Sequence, residues 1–444
     1  MSAGEWGFET KQVHAGASPQ PGSGALALPI FQTTAYAFPD AGTAAALFAK
    51  ERAGFIYSRG TNPTVAAVER RLAALDGGSD AVLVSSGQAA TAAVALTLAE
   101  RGDEIVASSQ LYGGTATLLG RNLAKRGIAT RFIVDSSDPD AWRAAVGPHT
   151  RALFTETISN PSGQIADLET LAEIAHAAGV PLVVDNTLAT PAVLRPLEWG
   201  ADIVVYSASK FLSGHSTVIA GAVIDGGSFD YGAHADRFPE FSAPEPGFDD
   251  LVVSRDFGAG GRLAPQGKNA ALAGKIRLEQ IHDFGPTPAP FTAFLLEQGL
   301  ETLSLRLERH VANAQAVARW LDGHPGVNRV FYAGLPASPW AELARKYTPA
   351  GPGAVVSFEV PGGVETAQRF LSALRLISIV ANIGDVRTLA IHPYTTTHGS
   401  TSPEERAAAG VTEGLIRLSV GLETLADLEA DLEAAFAAID YPAL

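Results

Sequence analysis

Residues 181–215 read PLVVDNTLATPAVLRPLEWGADIVVYSASKFLSGH. Two apolar, β-branched runs, PLVVD and ADIVVYSASK, flank a loop and a short helical segment. Continuous apolar runs of this length suit strands of a parallel sheet buried on both faces. The first run ends on Asp185 and the second on Ser207, Ser209 and Lys210. In open α/β sheets ligands lie outside the carboxyl ends of the strands. A carboxylate and an amine are therefore delivered to one ligand-facing edge.

An amine that can lose its proton, beside a fixed carboxylate, matches the needs of pyridoxal phosphate (PLP). That cofactor takes a lysine at its aldehyde and an acid at its ring nitrogen. Plainer readings stand beside this one. A lysine after a strand is commonly a solvated charge, and an aspartate there is commonly a turn residue or helix cap. Ser207-Ala208-Ser209-Lys210 also satisfies S-x-x-K, the pattern of serine acylases. Those enzymes further need S-D-N and K-T-G, and neither tripeptide occurs here.

The rest of the chain decides between them. VAAVERRLAALDG (65–77) has a helical apolar stripe. AVLVSSGQAATAAVALTLAE (81–100) reads as strand, Ser-Ser-Gly turn and Ala-rich helix. Free N–H groups at such a helix start bind anions, and Gly87 permits close approach, although Ser86 can equally be a simple N-cap. The next strand–loop–helix unit, 103–127, places Tyr112 in a Gly-flanked loop, where a ring can stack on a flat cofactor or merely pack. Asn160 follows another strand. Alternation of strands and helices from 65 to 225 predicts a doubly wound α/β sheet.

Outside that span the pattern changes. Residues 1–64 read as an arm without a core of its own, carrying Tyr57 and Arg59 in a turn-rich loop. Residues 226–287 form a Gly- and Pro-rich insertion, of a length usual only where it covers a site or an interface. Residues 290–324 read as one long helical region. Beyond it, GAVVSFEV, VETAQRFLSAL, LISIVANIG, GLIRLSVGLE and a terminal helix make a small α+β unit. Arg417 lies mid-strand among apolar neighbours, either as an internal ion pair or as a grip for a carboxylate.

The bulk numbers set limits. A chain of 444 residues exceeds one comfortable core. A net charge of −15 argues against a nucleic-acid surface. With Cys 0 there is no disulfide, thiolate catalyst or cysteine metal site, and no metal centre is expected. No apolar run reaches membrane-spanning length and the first residues lack a signal pattern, so a cytoplasmic location is expected.

YSRGTNPT, SSGQAA, LYGGT, SNPSG, DNT, SASKFLSGH and GLIRLSVGLE occur here in the order in which they occur in the Cys/Met-metabolism PLP-dependent enzymes, and nearly the whole chain resembles that family. The resemblance implies a fold-type I PLP-dependent transferase, with a large doubly wound, mostly parallel sheet domain and a small C-terminal α+β domain. The implied divisions are an arm at 1–64, a PLP-binding domain at 65–305 and a small domain at 306–444.

Carried over position by position, the resemblance makes Lys210 the Schiff-base lysine, Asp185 the partner of the pyridinium nitrogen, and Tyr112 the stacking ring. These three form the catalytic set. Ser86, Gly87, Gln88, Ser207 and Ser209 surround the phosphate, and Asn160 approaches the ring's 3-oxygen. Tyr57 and Arg59 reach a neighbouring subunit's phosphate, with Tyr57 also near substrate. This implies a homo-oligomer, a tetramer built as a dimer of dimers. Arg417 grips the substrate carboxylate and Asn382 helps hold that end. Many relatives have Ser at Asn382. His215 and His398 fall in similar segments without an assigned role.

RFPEFSAPEP, FLLEQGLETLSLRLERH, NIGDVRTLAIHP and the chain length resemble the members that act on O-acetylhomoserine. The implied reaction replaces the acetate of O-acetyl-L-homoserine with sulfide to give L-homocysteine. Methanethiol as acceptor, cystathionine synthesis, O-succinyl esters and methionine γ-elimination are alternatives on the same scaffold. A PLP-binding regulator without turnover is the alternative of another class.

Overall fold

The computed structural model describes residues 6–439 apart from 17, 21, 249, 400–402, 404–405 and 407–408. The first sheet contains β1 (Asp80–Val84), β2 (Glu104–Ser108), β3 (Ala129–Ile133), β4 (Thr150–Glu156), β5 (Leu182–Asp185), β6 (Ile203–Tyr206) and β7 (Gly221–Asp225). Its order is β1-β7-β6-β5-β4-β2-β3. The run from β6 to β3 is parallel, and β7 is antiparallel to both its neighbours. This is the expected α/β architecture. Val183, Val204 and Val223 are buried, as strands covered on both faces require.

Register brings the functional strand ends together. Glu156 lies opposite Asp185, and Asp185 opposite Val205. Val84 pairs with Gly221 and Tyr206 with Ala222. The carboxyl ends of β1, β4, β5 and β6 therefore open on one edge.

The second sheet contains β8 (Arg329–Phe331), β9 (Val355–Glu359), β10 (Ser378–Ile379), β11 (Leu389–Ile391) and β12 (Leu415–Ser419), ordered β10-β11-β12-β9-β8. The expected strand over 376–384 is only the two-residue β10. The chain then turns into a loop because it must pass close to the segment after β6. Gly384 has φ +76°, and a Cβ there would lie 2.5 Å from the backbone nitrogen of Phe211.

Two helices, Pro290–Leu300 and Leu303–Asp322, occupy the region expected to be one. The arm fills the break between them. The buried Gln12 side chain donates to the Glu301 carbonyl (2.9 Å) and accepts the Ser304 N–H (2.8 Å). The 305/306 division falls inside the second helix. One apolar cluster joins both sheets through that helix, from Val204 and Ala222 to Leu307, Phe358 and Leu418.

The 226–287 insertion has an aromatic core of its own. Phe229, Tyr231, Phe238 and Phe241 pack together, with Tyr231 stacked on Phe241 at 4.0 Å between ring centroids. This core merges with Ala90 and Val94 of the Gly87–Leu98 helix. Among the described residues no helix is long and apolar enough to cross a membrane.

Arg71 anchors the arm. It is fully buried, pairs with the buried Glu297 at 2.7 Å and donates to the Ala15 carbonyl at 2.9 Å. Burial pushes Glu297 up to about 7, against the pull of Arg71. Arg71→Met is expected to destabilise the fold by about 3–5 kcal/mol, because a buried charge loses its partner. Arg71→Met/Glu297→Leu is expected to recover most of that loss. Equilibrium denaturation of both variants checks this, and wild-type stability in Arg71→Met alone would contradict it.

Candidate active site

A cavity of about 550 Å³ lies where the strand ends of the first sheet meet β12 and the 381–383 loop of the second. Its size is within the usual range for small-molecule sites. The sequence-predicted Ser86, Gly87, Gln88, Tyr112, Asn160 and Asp185 line it, as do Ser207, Ser209, Lys210, Asn382 and Arg417. Tyr57 and Arg59 do not line it. They lie on the arm, where the Arg59 guanidinium sits 5.4 Å from the Tyr57 ring centroid. His215 and His398 are not among the lining residues either.

The turn after β1 is built for an anion. Ser86 caps the Gly87–Leu98 helix by accepting the Ala89 N–H (3.1 Å). A Cβ on Gly87 would lie 2.7 Å from the Cβ of Ser207, so only glycine lets this turn approach the segment after β6. The free N–H groups and positive dipole end of that helix then face the cavity beside Ser207 and Ser209.

Two carboxylates, Asp185 and Glu156, reach the cavity from adjacent strands. Glu156 is buried and Asp185 partly so; desolvation raises both pKa values, and the Asp185 charge pushes Glu156 up further. Asp185 accepts the Thr187 N–H (2.9 Å), and hydrogen bonds from Thr187 favour its charged form. The balance within this pair therefore favours the charge on Asp185 over that on Glu156. Glu156 accepts the Tyr112 N–H (2.6 Å) and so fixes the loop that carries this half-exposed ring.

Lys210 shares the cavity with one other lining cation, Arg417. Burial lowers its pKa, and the nearby Arg417 lowers it further. Its amine donates to Asn382 Oδ1. Arg417 is 6% exposed, and burial lowers its pKa to about 10. It donates to Asn160 Oδ1 and to the Asn382 carbonyl, both at 3.2 Å, and its Nε has no acceptor. Among the described residues no carboxylate pairs with it. Among those residues the internal ion pair that its sequence context also allowed is not formed.

Sequence reasoning missed Glu156, Thr187 and Ser216. Glu156 was findable, since ETISNP ends β4 and a strand-end carboxylate obeys the rule that found Asp185. Thr187 also follows β5, and it accepts the Ser207 N–H (2.8 Å), tying the ends of β5 and β6 together. Ser216 gave no signal, because its role depends on contacts with the second sheet. No residue of the 226–287 insertion lines the cavity. Its apolar core instead supports the helix that begins at Gly87.

These groups fit PLP. The site offers an amine of lowered pKa, a carboxylate for a ring nitrogen, a ring-bearing loop and an anion-binding helix start in one cavity. The Cys/Met metabolism PLP-dependent enzyme family model matches residues 9–437. The chain belongs to this family. It is 47% identical over 445 residues to an O-acetyl-L-homoserine sulfhydrylase of Corynebacterium glutamicum, covering 99% of this chain and 98% of that protein. It is 45% identical to a homocysteine synthase of Schizosaccharomyces pombe, with 96% of each covered. It is also similar to a Campylobacter jejuni crystal structure provisionally described as an O-acetylhomoserine (thiol)-lyase, at 36% identity and TM-score 0.92, over 97% of this chain and 100% of that one. That structure contains a lysine bearing a pyridoxyl phosphate group. PLP is accordingly the cofactor of this family member.

The carboxylate pair yields a test. Asp185→Ala is expected to weaken PLP retention about 10- to 100-fold, since a hydrogen bond to a charged group contributes roughly 1.5–3 kcal/mol. Glu156→Gln keeps a neutral group and an acceptor for the Tyr112 N–H, and is expected to retain PLP nearly as the wild type does. Equilibrium dialysis monitored by cofactor absorbance measures both. Equal loss in the two variants would overturn the assignment of the charge to Asp185.

Proposed function

We propose that this enzyme replaces the acetate of O-acetyl-L-homoserine with sulfide, forming L-homocysteine and acetate. The observation that carries the reading is Arg417, a buried guanidinium without a carboxylate partner among the described residues, in the same cavity as a lysine of lowered pKa. Full-length similarity to proteins named O-acetyl-L-homoserine sulfhydrylase and homocysteine synthase supports the choice of substrate.

Bound PLP supplies an electron sink for the carbanion formed when an amino acid loses its α-proton. The protein's residues do the rest. Lys210 holds the cofactor and, once freed by the incoming amino group, takes the α-proton at Nζ. Its lowered pKa favours the neutral amine needed for that step. Asp185 keeps a negative charge facing the ring nitrogen, and Tyr112 covers the ring. Ser86, Gly87, Gln88, Ser207 and Ser209 hold the phosphate. Asn160 lies toward the ring oxygen. Arg417 holds the substrate carboxylate, with Asn382 fixing the guanidinium through its carbonyl. A β-proton is then removed and acetate leaves the γ-carbon, hydrosulfide adds there, and protons return to the β- and α-carbons before Lys210 displaces the homocysteine amine. A cytoplasmic setting belongs to the same reading.

Tyr57 and Arg59 belong to the proposal as residues given to a second copy, in a tetramer made of two dimers. The arm around them exposes Leu26, Phe48 and Tyr57, at 84%, 61% and 44%. Apolar side chains gathered on a segment without its own core are typical of surface covered by a partner.

Purified enzyme given O-acetyl- or O-succinyl-homoserine, each with sulfide, methanethiol or cysteine, is expected to release homocysteine and acetate fastest from the acetyl ester with sulfide. Arg417→Ala is expected to lower kcat/KM for the ester about 10- to 100-fold. Product analysis by mass spectrometry checks both. Cystathionine or 2-oxobutyrate as the main product would reject the reading. Mixed oligomers of Tyr57→Phe/Arg59→Ala subunits with Lys210→Ala subunits are expected to regain activity that neither parent has. No recovery in verified mixed oligomers would reject the shared site.

A further inference from the structure

A directional chain of hydrogen bonds leads from Lys210 out of the cavity. Lys210 Nζ donates to Asn382 Oδ1 at 2.5 Å. Asn382 Nδ2 donates to Ser216 Oγ at 3.0 Å, and Ser216 Oγ donates to Asp385 Oδ2 at 2.5 Å. Asp385 receives the Arg387 backbone N–H (2.9 Å), Nε (2.7 Å) and NH2 (2.9 Å).

The far end fixes the polarity of the whole chain. Burial opposes the charge on Asp385, but hydrogen bonds from Arg387 and Ser216 outweigh it and hold the group at about 2. An ionised carboxylate only accepts. The single hydroxyl proton of Ser216 is therefore spent on Asp385, and its lone pairs must take an N–H from Asn382. Turning the amide over would set its oxygen against the oxygen of Ser216. The Asn382 oxygen is thus committed to Lys210.

The backbone at Ser216 supports this reading. Its φ is +53°, a conformation that favours glycine. Serine at such a position is strained, and strained residues gather at functional sites. The hydroxyl is what glycine would lack.

We propose that Ser216 and Asp385 are positioning residues: they fix the amide of Asn382 so that it presents an acceptor to the Lys210 ammonium formed when that amine takes up a proton. The inference rests on Lys210 being the cofactor lysine and the proton carrier. Sequence gave no hint of it, because the links join the loop after β6 to the loop before β11.

The other titratable groups facing this amine are Arg417 on β12, Asp185 on β5, Glu156 on β4 and Tyr112 in the loop after β2. His398 approaches Arg417. All of them are common to wild type and variants, so a difference between these proteins reports on the chain alone. An acceptor facing Nζ favours the ammonium. Losing it adds to the lowering already caused by burial and Arg417. The neutral amine then appears at lower pH.

The test measures PLP uptake by the full-length apoprotein, which needs the neutral amine, as the rate of forming a borohydride-reducible adduct across pH. In Ser216→Ala, Ser216→Gly and Asp385→Asn the pH midpoint is expected to fall by about one unit, the size expected of a charged hydrogen bond. Ser216→Gly removes the hydroxyl while relaxing the backbone, so agreement with Ser216→Ala assigns the effect to the hydroxyl. Unmoved midpoints in all three, with or without lower thermal stability, would reduce the chain to a structural tie and overturn the proposal. A Lys210→Ala control must form no adduct. If it forms one, the cofactor-lysine reading fails, and that result is distinct from an unmoved midpoint.

Discussion

A guanidinium buried without a carboxylate among the described residues is the constraint on which this site depends. Arg417 lies in β12, between β11 and β9, paired in register with Ile391 and Ser357. A strand hydrogen-bonded on both sides cannot move its side chain to solvent. The acceptors supplied to Arg417 are uncharged, Asn160 Oδ1 and the Asn382 carbonyl. Such partners orient a cation without neutralising it, and an uncompensated buried charge is costly. In the proposed function a substrate anion supplies the missing charge, and the bidentate geometry of arginine suits a carboxylate.

The same charge acts on Lys210. Two cations in one cavity disfavour each other, so the group proposed to bind a carboxylate also helps keep the amine neutral. Packing sets their separation. Arg306 donates to the carbonyls of Phe211 (2.8 Å) and Leu212 (3.2 Å), pinning the segment that follows Lys210. Gly384 brings the 381–387 loop against that same segment. The apolar cluster shared by the two sheets holds both sides of the cavity in place. Rigid support of this kind is what proton transfer between fixed atoms requires.

Much of this was legible in the sequence. The β5 and β6 runs, the Ser-Ser-Gly turn and the mid-strand Arg417 announced themselves because each is a local pattern whose position in a sheet follows from period and topology. Glu156 was equally local and was passed over. The loop that replaced the expected 376–384 strand was not local, since the approach of Gly384 to Phe211 belongs to the meeting of two sheets. The break near 301–302 depends on Gln12, which is 289 residues from Glu301 in sequence. Ser216 illustrates the same limit. Its strain and its partners are set by a distant loop, and nothing in SGHST distinguishes it from an ordinary turn.

The inventory of charge also bears on which reaction the site favours. Among the described lining residues the cations are Lys210 and Arg417. In the proposed function Lys210 is occupied with the cofactor, the helix start at Gly87 faces the phosphate, and Arg417 takes one carboxylate. Leu188, Val218 and Ile383 give the cavity apolar wall. A succinyl ester, or cysteine as acceptor, carries a further carboxylate, and a desolvated carboxylate needs a cation or several donors. An acetyl ester and sulfide make no such demand. The charges lining the described cavity therefore favour the acetyl ester with a small acceptor.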